Sequence, residues 1–243
     1  MENQVNFFTV QDIYDQQDKQ VDLDITKVYD PLHFWEDYGD KYFKGFSKPQ
    51  EFNKYIPWLL TKLKVLKVDT LYDAGCGFCR VEPYLLESGV VKDITAIDIS
   101  QKQLDSAKEY LSPTLPIRVD FKTDEDFDKA MKAFDEAVER LKHIDIKKQT
   151  IRWSDIPEGS YDCTLSIECM QHLPISSVRY AIKQLQKVAK KYVIVIERFV
   201  FDGEHPAPHI WSHNYVKMMT DIGLKLIEGT VLGNGMIAMV YKK

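Results

Sequence analysis

The segment Thr70-Leu71-Tyr72-Asp73-Ala74 runs straight into Gly75-Cys76-Gly77 and then into an apolar stretch, Val81 to Leu86, that Gly89 is placed to end. A short apolar run, glycines and an amphipathic stretch spell strand, tight turn and helix. Glycine takes left-handed backbone without penalty and lets a ligand approach the bare main chain. A second apolar run, Ile94 to Ile99, carries Asp98 near its end, and Ser100 with Gln103 forms a capping box opening a helix through Leu111. Strand, helix, strand in this order needs a crossover connection, so the sheet is parallel and the chain belongs to the α/β class.

The later sequence extends the pattern. Thr150 to Trp153, Asp162 to Ile167 and Tyr192 to Glu197 read as strands, with a helix from Ser176 to Lys190 between the last two. A final helix near Ser212 to Ile222 stops at Gly223. Leu224 to Val231 and Met236 to Tyr241, separated by Gly233-Asn234-Gly235, read as an antiparallel hairpin.

Two segments stand outside this rhythm. Residues 1–46 are dense in aromatics, Trp35, Tyr38 and Tyr42 among them, without sustained period, and read as a partly ordered arm. Residues 113–148 contain a helical stripe of Phe127, Ala130, Met131, Phe134, Ala137, Val138 and Leu141 with Thr123 as cap, which predicts an inserted helical cap. The domain therefore spans 47–243, opening with a helix from Ser47 that Pro57 is expected to kink.

Composition removes whole classes of function. Lys and Arg number 32 against 37 Asp and Glu, a net charge of −5, so there is no broad cationic field and a nucleic-acid partner is disfavoured. No stretch approaches the ~20 apolar residues of a membrane span, and Met1-Glu2-Asn3-Gln4 lacks a secretory profile. A cytoplasmic protein with no membrane partner is expected. The four cysteines, Cys76, Cys79, Cys163 and Cys169, are expected to be reduced thiols. Cys76 and Cys79 have C-x-x-C spacing, but the second pair is spaced unlike a zinc knuckle, and no metal is assigned. His205, His209 and His213 recur every four residues near Glu204, yet Pro206 and Pro208 break the helix that would align them. They read as surface histidines, with His209 kept as a candidate substrate contact, and His172 reads as structural.

The dinucleotide fingerprint would need glycine where Arg80 stands. Four other features, in order, resemble the Rossmann-like S-adenosylmethionine-dependent methyltransferases. Asp73 to Gly77 looks like the glycine loop, and Ile97-Asp98-Ile99-Ser100 like the ribose-binding strand end. Trp153-Ser154-Asp155-Ile156-Pro157 resembles the adenine loop, and Tyr161-Asp162 through Glu168 with Gln171-His172-Leu173-Pro174 the fourth strand and its exit. The resemblance covers Thr70 to the C-terminus. It implies a seven-stranded, mostly parallel sheet with helices on both faces and a C-terminal antiparallel hairpin, and S-adenosylmethionine as cofactor.

On this resemblance Asp73 steers the methionine ammonium, and Gly75 and Gly77 open the backbone. Cys79 replaces the third loop glycine, while Cys76 sits where the family commonly carries cysteine. Asp98, with Ile99 beside it, takes the ribose; Asp155 and the backbone at Ile156 read the adenine; Glu168 closes the cofactor set. The arm residues Trp35, Tyr38 and Tyr42 join His209 as candidate acceptor contacts. The expected activity is methyl transfer to an O or N of a small molecule. A protein or peptide N-methyltransferase and a non-catalytic cofactor-binding regulator are the other readings. Neither a catalytic base nor an oligomeric state follows from the residues.

Overall fold

The computed structural model describes residues 30–46, 55–153, 155–198, 210–233 and 235–243. The elements are α1 (Pro31–Phe46), α2 (Ile56–Leu66), β1 (Thr70–Ala74), α3 (Glu82–Glu87), β2 (Asp93–Asp98), α4 (Gln101–Leu111), α5 (Asp124–Leu141) and β3 (Ile144–Lys148). They continue with β4 (Tyr161–Ile167), α6 (Ile175–Val188), β5 (Ala189–Arg198), α7 (Tyr215–Asp221), β6 (Lys225–Gly233) and β7 (Met236–Lys242), with single 3-10 turns at Arg118–Asp120 and Met170–His172. The strands form one seven-stranded sheet in the order β3-β2-β1-β4-β5-β7-β6. β1 with β2, β2 with β3 and β4 with β5 are parallel. β7 runs antiparallel to both β5 and β6. This is the mostly parallel sheet with a closing hairpin that the strand pattern requires.

The chain divides into two compact units. In the unit Leu32–Thr150, β1 and β2 are apolar on both faces, with Leu71, Tyr72, Ala74, Ile94, Ala96 and Ile97 buried, as expected of inner parallel strands. Gly89 lies at φ 66 just past α3, and its N–H donates to Leu86 O at 3.0 Å, the C-terminal stop expected of it. The unit carrying Ile151–Lys243 is built on β5, whose residues Val193 to Ile196 are buried between β4 and β7. α6 buries Val178, Ala181, Ile182 and Leu185, and its spacing of three and four is one face of a helix. The hairpin closes with Gly233 paired to Met236 and Gly235 at φ 71, the left-handed backbone such a turn demands.

Four expectations are corrected. The third strand is Ile144–Lys148, and residues 151 and 152 form a turn. Ile144 and Ile146 alternate with charged residues on a short strand that pairs with β2, a lysine-bearing edge strand without the continuous apolar run of a central one. The inserted segment therefore ends before Ile144. Pro57 lies in the first turn of α2, where no helical hydrogen bond is lost, so it starts a helix and kinks nothing; residues 47–54 lie outside the described residues. Residues 31–46 form one helix, with Phe34, Tyr38, Tyr42 and Phe46 recurring every four residues. The stripe of α5, finally, is half-buried and buries none of its residues completely, so its apolar side is only partly covered. No helix among the described residues is long and apolar enough to cross a membrane.

Candidate functional site

In the unit Leu32–Thr150 the chain leaves β1 at Ala74 and turns at once. Gly75 (φ 85) and Gly77 (φ 57) supply left-handed backbone, and so does Cys79 at φ 57. For a residue with a Cβ that conformation costs on the order of 1 kcal/mol, which the surrounding contacts must offset. The N–H groups of Gly75 and Cys76 both donate to Ile97 O, at 2.8 and 2.9 Å, hanging the loop from the end of β2.

Asp98 completes that attachment. Its Oδ2 accepts from Gly77 N at 3.0 Å and its Oδ1 from Ser100 N at 2.8 Å. One carboxylate thus joins the glycine loop to the start of α4, with a lone pair on each oxygen still to offer. Burial pushes its pKa up to about 6, against the pull of the N–H groups of Ser100, Gly77 and Ile99. The expected capping box is half made: Ser100 Oγ accepts from Gln103 N at 3.3 Å. Asp98 has taken the Ser100 N–H that the Gln103 side chain would use. Gln103 is buried, and its Oε1 has no partner and lies 3.6 Å from where a Cβ on Gly77 would stand.

Asp73 is buried at the end of β1, and its Oδ1 meets no donor. The carboxyl of Glu82, at the start of α3, lies within hydrogen-bonding reach of it. As two carboxylates neither inner oxygen is satisfied. Burial raises the pKa of each, and the Glu82 charge raises that of Asp73 further. Glu82 was not apparent in the sequence, where it reads as an ordinary acid in a first helical turn.

α1 sits against this loop. Tyr42 Oη accepts from Arg80 Nη1 at 2.8 Å, and its ring lies 5.8 Å from Phe78. Trp35 O accepts from Ser100 Oγ at 3.2 Å, and Glu36 Oε1 from Gln101 N at 2.7 Å. Glu36 therefore caps α4 from outside; burial, which alone would raise its pKa, is outweighed by the N–H groups of Gln101 and Lys102 and by Lys148, so the pKa is lowered. Tyr38 stacks on Phe34 within α1. Arg80, the residue that spoils a dinucleotide fingerprint, is the loop's tie to α1.

In the other unit Asp155 is exposed and Ile156 half-buried on the loop before β4, after an exposed Trp153. Glu168 follows β4 at φ 49, its N–H donating to Ile196 O at 2.8 Å. The turn after it closes on a residue that sequence reasoning passed over. Glu197 Oε1 accepts from Ser166 Oγ (3.3 Å), Cys169 N (3.2 Å) and Met170 N (2.9 Å), while Oε2 accepts from Gln171 N (3.2 Å). Burial pushes its pKa up to about 8, opposed by the N–H groups of Met170 and Gln171. A carboxylate closing the apolar run Tyr192 to Ile196 was the available signal, since a buried carboxylate is kept only where donors surround it. His213 is not a surface histidine: it is fully buried and donates from Nε2 to Leu173 O at 2.8 Å. His172 is buried beside Gln171. His205 and His209 lie outside the described residues.

The candidates Asp73, Gly75, Gly77, Cys79, Asp98 and Ile99 thus gather around one loop, with Tyr42 and Trp35 against it. Asp155, Ile156 and Glu168 lie on turns flanking β4. Such a set offers backbone N–H groups, paired carboxylates and bare glycine backbone at the carboxyl ends of β1 and β2, where open α/β sheets take ligands.

No family model matches the sequence, and no curated protein does. Solved structures do. A SAM-dependent methyltransferase from Aquifex aeolicus is 19% identical with a TM-score of 0.60, over 84% of this chain and 97% of that one. Magnesium protoporphyrin IX methyltransferase from Synechocystis PCC 6803 with bound SAM is 14% identical with a TM-score of 0.62, over 89% of this chain and 99% of that one. A [4+2]-cyclase is 13% identical with a TM-score of 0.57, over 78% and 80%. The chain therefore has the fold of the Rossmann-like S-adenosylmethionine-dependent methyltransferases.

Proposed function

We propose that this protein is an S-adenosylmethionine-dependent methyltransferase that acts on an O or N of a small-molecule acceptor. The observation that carries the reading is the loop Gly75–Cys79, slung from Ile97 O and gripped by Asp98, with the unpaired oxygens of Asp73 and Gln103 beside it. Buried acceptors without donors fit a ligand that brings donors, as an ammonium and ribose hydroxyls do. Asp73 would hold the ammonium, the bare backbone of Gly75 and Gly77 would let the cofactor lie close, and the free lone pairs of Asp98 would take the ribose. Asp155 and the Ile156 backbone would read the adenine, and Glu168 would border the site.

When bound, S-adenosylmethionine supplies a methyl group already activated on a sulfonium. The chain's own task is then to orient and to exclude water. Trp35, Tyr38 and Tyr42, on the helix tied to the loop, are proposed to face the acceptor, with α5 as a cap and His209 as a further contact. Calorimetry with S-adenosylhomocysteine, followed by transfer of labelled methyl to a panel of hydroxyl- and amine-bearing small molecules, tests the reading. Absence of saturable binding overturns it.

The protein-substrate reading draws support from one observation. Leu115, Ile117 and Val119 are exposed ahead of α5, whose own stripe is half-covered. An apolar surface of that kind suits a polypeptide acceptor. Labelled methyl appearing on protein from a cell extract but on no small molecule would favour it.

A further inference from the structure

The turn from β1 into α3 places three metal-ligating side chains together. Cys79 N donates to Cys76 O at 3.0 Å, closing a tight turn with left-handed backbone at Gly77 and Cys79 (both φ 57). Glu82 stands three residues further, as the first residue of α3. One ligand atom from each of Cys76, Cys79 and Glu82 lies within 4.8 Å of the others, and the residues are 8%, 0% and 1% exposed. Glu82 spends Oε2 on Val81 N at 3.0 Å and leaves Oε1 without a donor, with the orphaned Oδ1 of buried Asp73 nearby.

We propose that Cys76, Cys79 and Glu82 form a three-ligand site for a divalent, borderline-soft ion of the Zn2+ class. A tetrahedral ion at ~2.3 Å from sulfur and ~2.1 Å from oxygen sets its ligand atoms ~3.4–3.8 Å apart. Separations within 4.8 Å reach that by side-chain rotation, with the backbone turn already formed. Two thiolates and a carboxylate bring three negative charges; the ion takes two, and the buried guanidinium of Arg80 stands beside the group for the third. The fourth position goes to water, which would donate to Asp73 Oδ1, so both orphaned oxygens find partners.

A coordinating dication takes its cysteine ligands as thiolates. The site lies in the loop that carries Gly77, so the ion would set that loop's shape. The proposal stands whether or not the loop takes a nucleoside cofactor.

The test uses the full chain, reduced and stripped with chelator, titrated with Co2+ as a spectroscopic probe. The expected result is one equivalent bound, with a near-ultraviolet thiolate-to-cobalt band that Zn2+ abolishes at one equivalent. Asp73→Asn, outside the coordination sphere, should weaken Zn2+ by about 10–100-fold. Cys76→Ser and Cys79→Ser should each weaken it more and shrink the cobalt band, and Cys163→Ser should match the wild type. If the serine variants do not fold, alkylation read by mass spectrometry replaces them: one equivalent of Zn2+ should protect Cys76 and Cys79 in the wild-type protein and leave Cys169 unprotected. Absence of a thiolate band at stoichiometric Co2+ overturns the site. So does Zn2+ affinity unchanged in folded serine variants, or protection that omits Cys76 and Cys79.

Discussion

Glu197 invites a substitution whose effect should grow with pH. Its carboxylate accepts three donors on Oε1 and one on Oε2, all from the turn that follows β4. Glu197→Gln keeps the shape and one acceptor oxygen and, like the protonated acid that a pKa of about 8 implies at low pH, turns a donor toward the Gln171 N–H. At low pH the two should therefore differ by less than about 1 kcal/mol. Glu197→Ala strands every donor and should cost about 3–5 kcal/mol.

The pH dependence follows from the folded-state pKa of about 8, raised by burial, against ~4.3 in an unfolded chain. The folded protein holds the proton more tightly, so the stability this group contributes is complete below ~4.3 and is lost as pH rises through about 8. In that window the loss approaches about 1.4 kcal/mol per pH unit, or about 3.5 kcal/mol between pH 5 and 8. Glutamine carries no such term. Glu197→Gln should therefore be about as stable as wild type at pH 5 and more stable at pH 8. Asp98, Asp73 and Glu82, whose pKa values are raised too, are present in both proteins and cancel in the difference. Urea unfolding at pH 5, 6.5 and 8 with a constant m-value measures it. Parallel stability profiles for the two proteins would show that the turn's N–H groups hold Glu197 ionised throughout, and the reasoning would fail.

Other consequences are as direct. Asp98→Ala should weaken S-adenosylhomocysteine binding by ~1.5–3 kcal/mol in calorimetry, and unchanged affinity would remove Asp98 from the ribose. Asp155→Asn should shift the preference between adenosine- and inosine-based cofactor analogues, and an unaltered ratio would refute the adenine assignment. Tyr42→Phe deletes the 2.8 Å hydrogen bond from Arg80, so stability should fall by ~1 kcal/mol and amides 31–46 should exchange faster, with unchanged exchange counting against α1 being pinned there. Replacing residues 114–142 by a short glycine-containing linker, sparing the strand at Ile144, should leave cofactor binding largely intact and abolish turnover; retained turnover would remove α5 from the acceptor side.

Sequence reading succeeded where one local rule decides the structure. Gly75, Gly77 and Gly89 sit at positive φ, as a loop and a helix stop require, and Ser100 caps α4 with its side chain. It failed where two rules compete. Ile144 and Ile146 alternate like a strand but follow a strongly amphipathic helix, and the inserted segment drawn around that helix to residue 148 absorbed them. The aromatics of α1 do repeat every four residues, but read from Met1 onward the repeat is diluted by a polar segment of similar composition. Pro57 signals either a kink or a helix start, and the choice depends on where the preceding turn lies.

The candidate site was legible in proportion to how much of it is backbone. A glycine turn at the end of a buried strand announces itself, because the conformation it must take excludes most side chains. Glu82 and Glu197 were passed over for the opposite reason: a carboxylate's role depends on which donors or partners reach it, and Ser166 with Cys169 to Gln171 lies about thirty residues from Glu197. The same asymmetry governs function. A glycine loop and a strand-end carboxylate follow from local backbone rules, whereas α1 and α5, the surfaces proposed for the acceptor, answer to no local rule. A [4+2]-cyclase shares the fold with methyltransferases. On the proposed reading, what separates one chemistry from another is to be sought in α1, α5 and the loop after β4, where substitutions leave the sheet undisturbed.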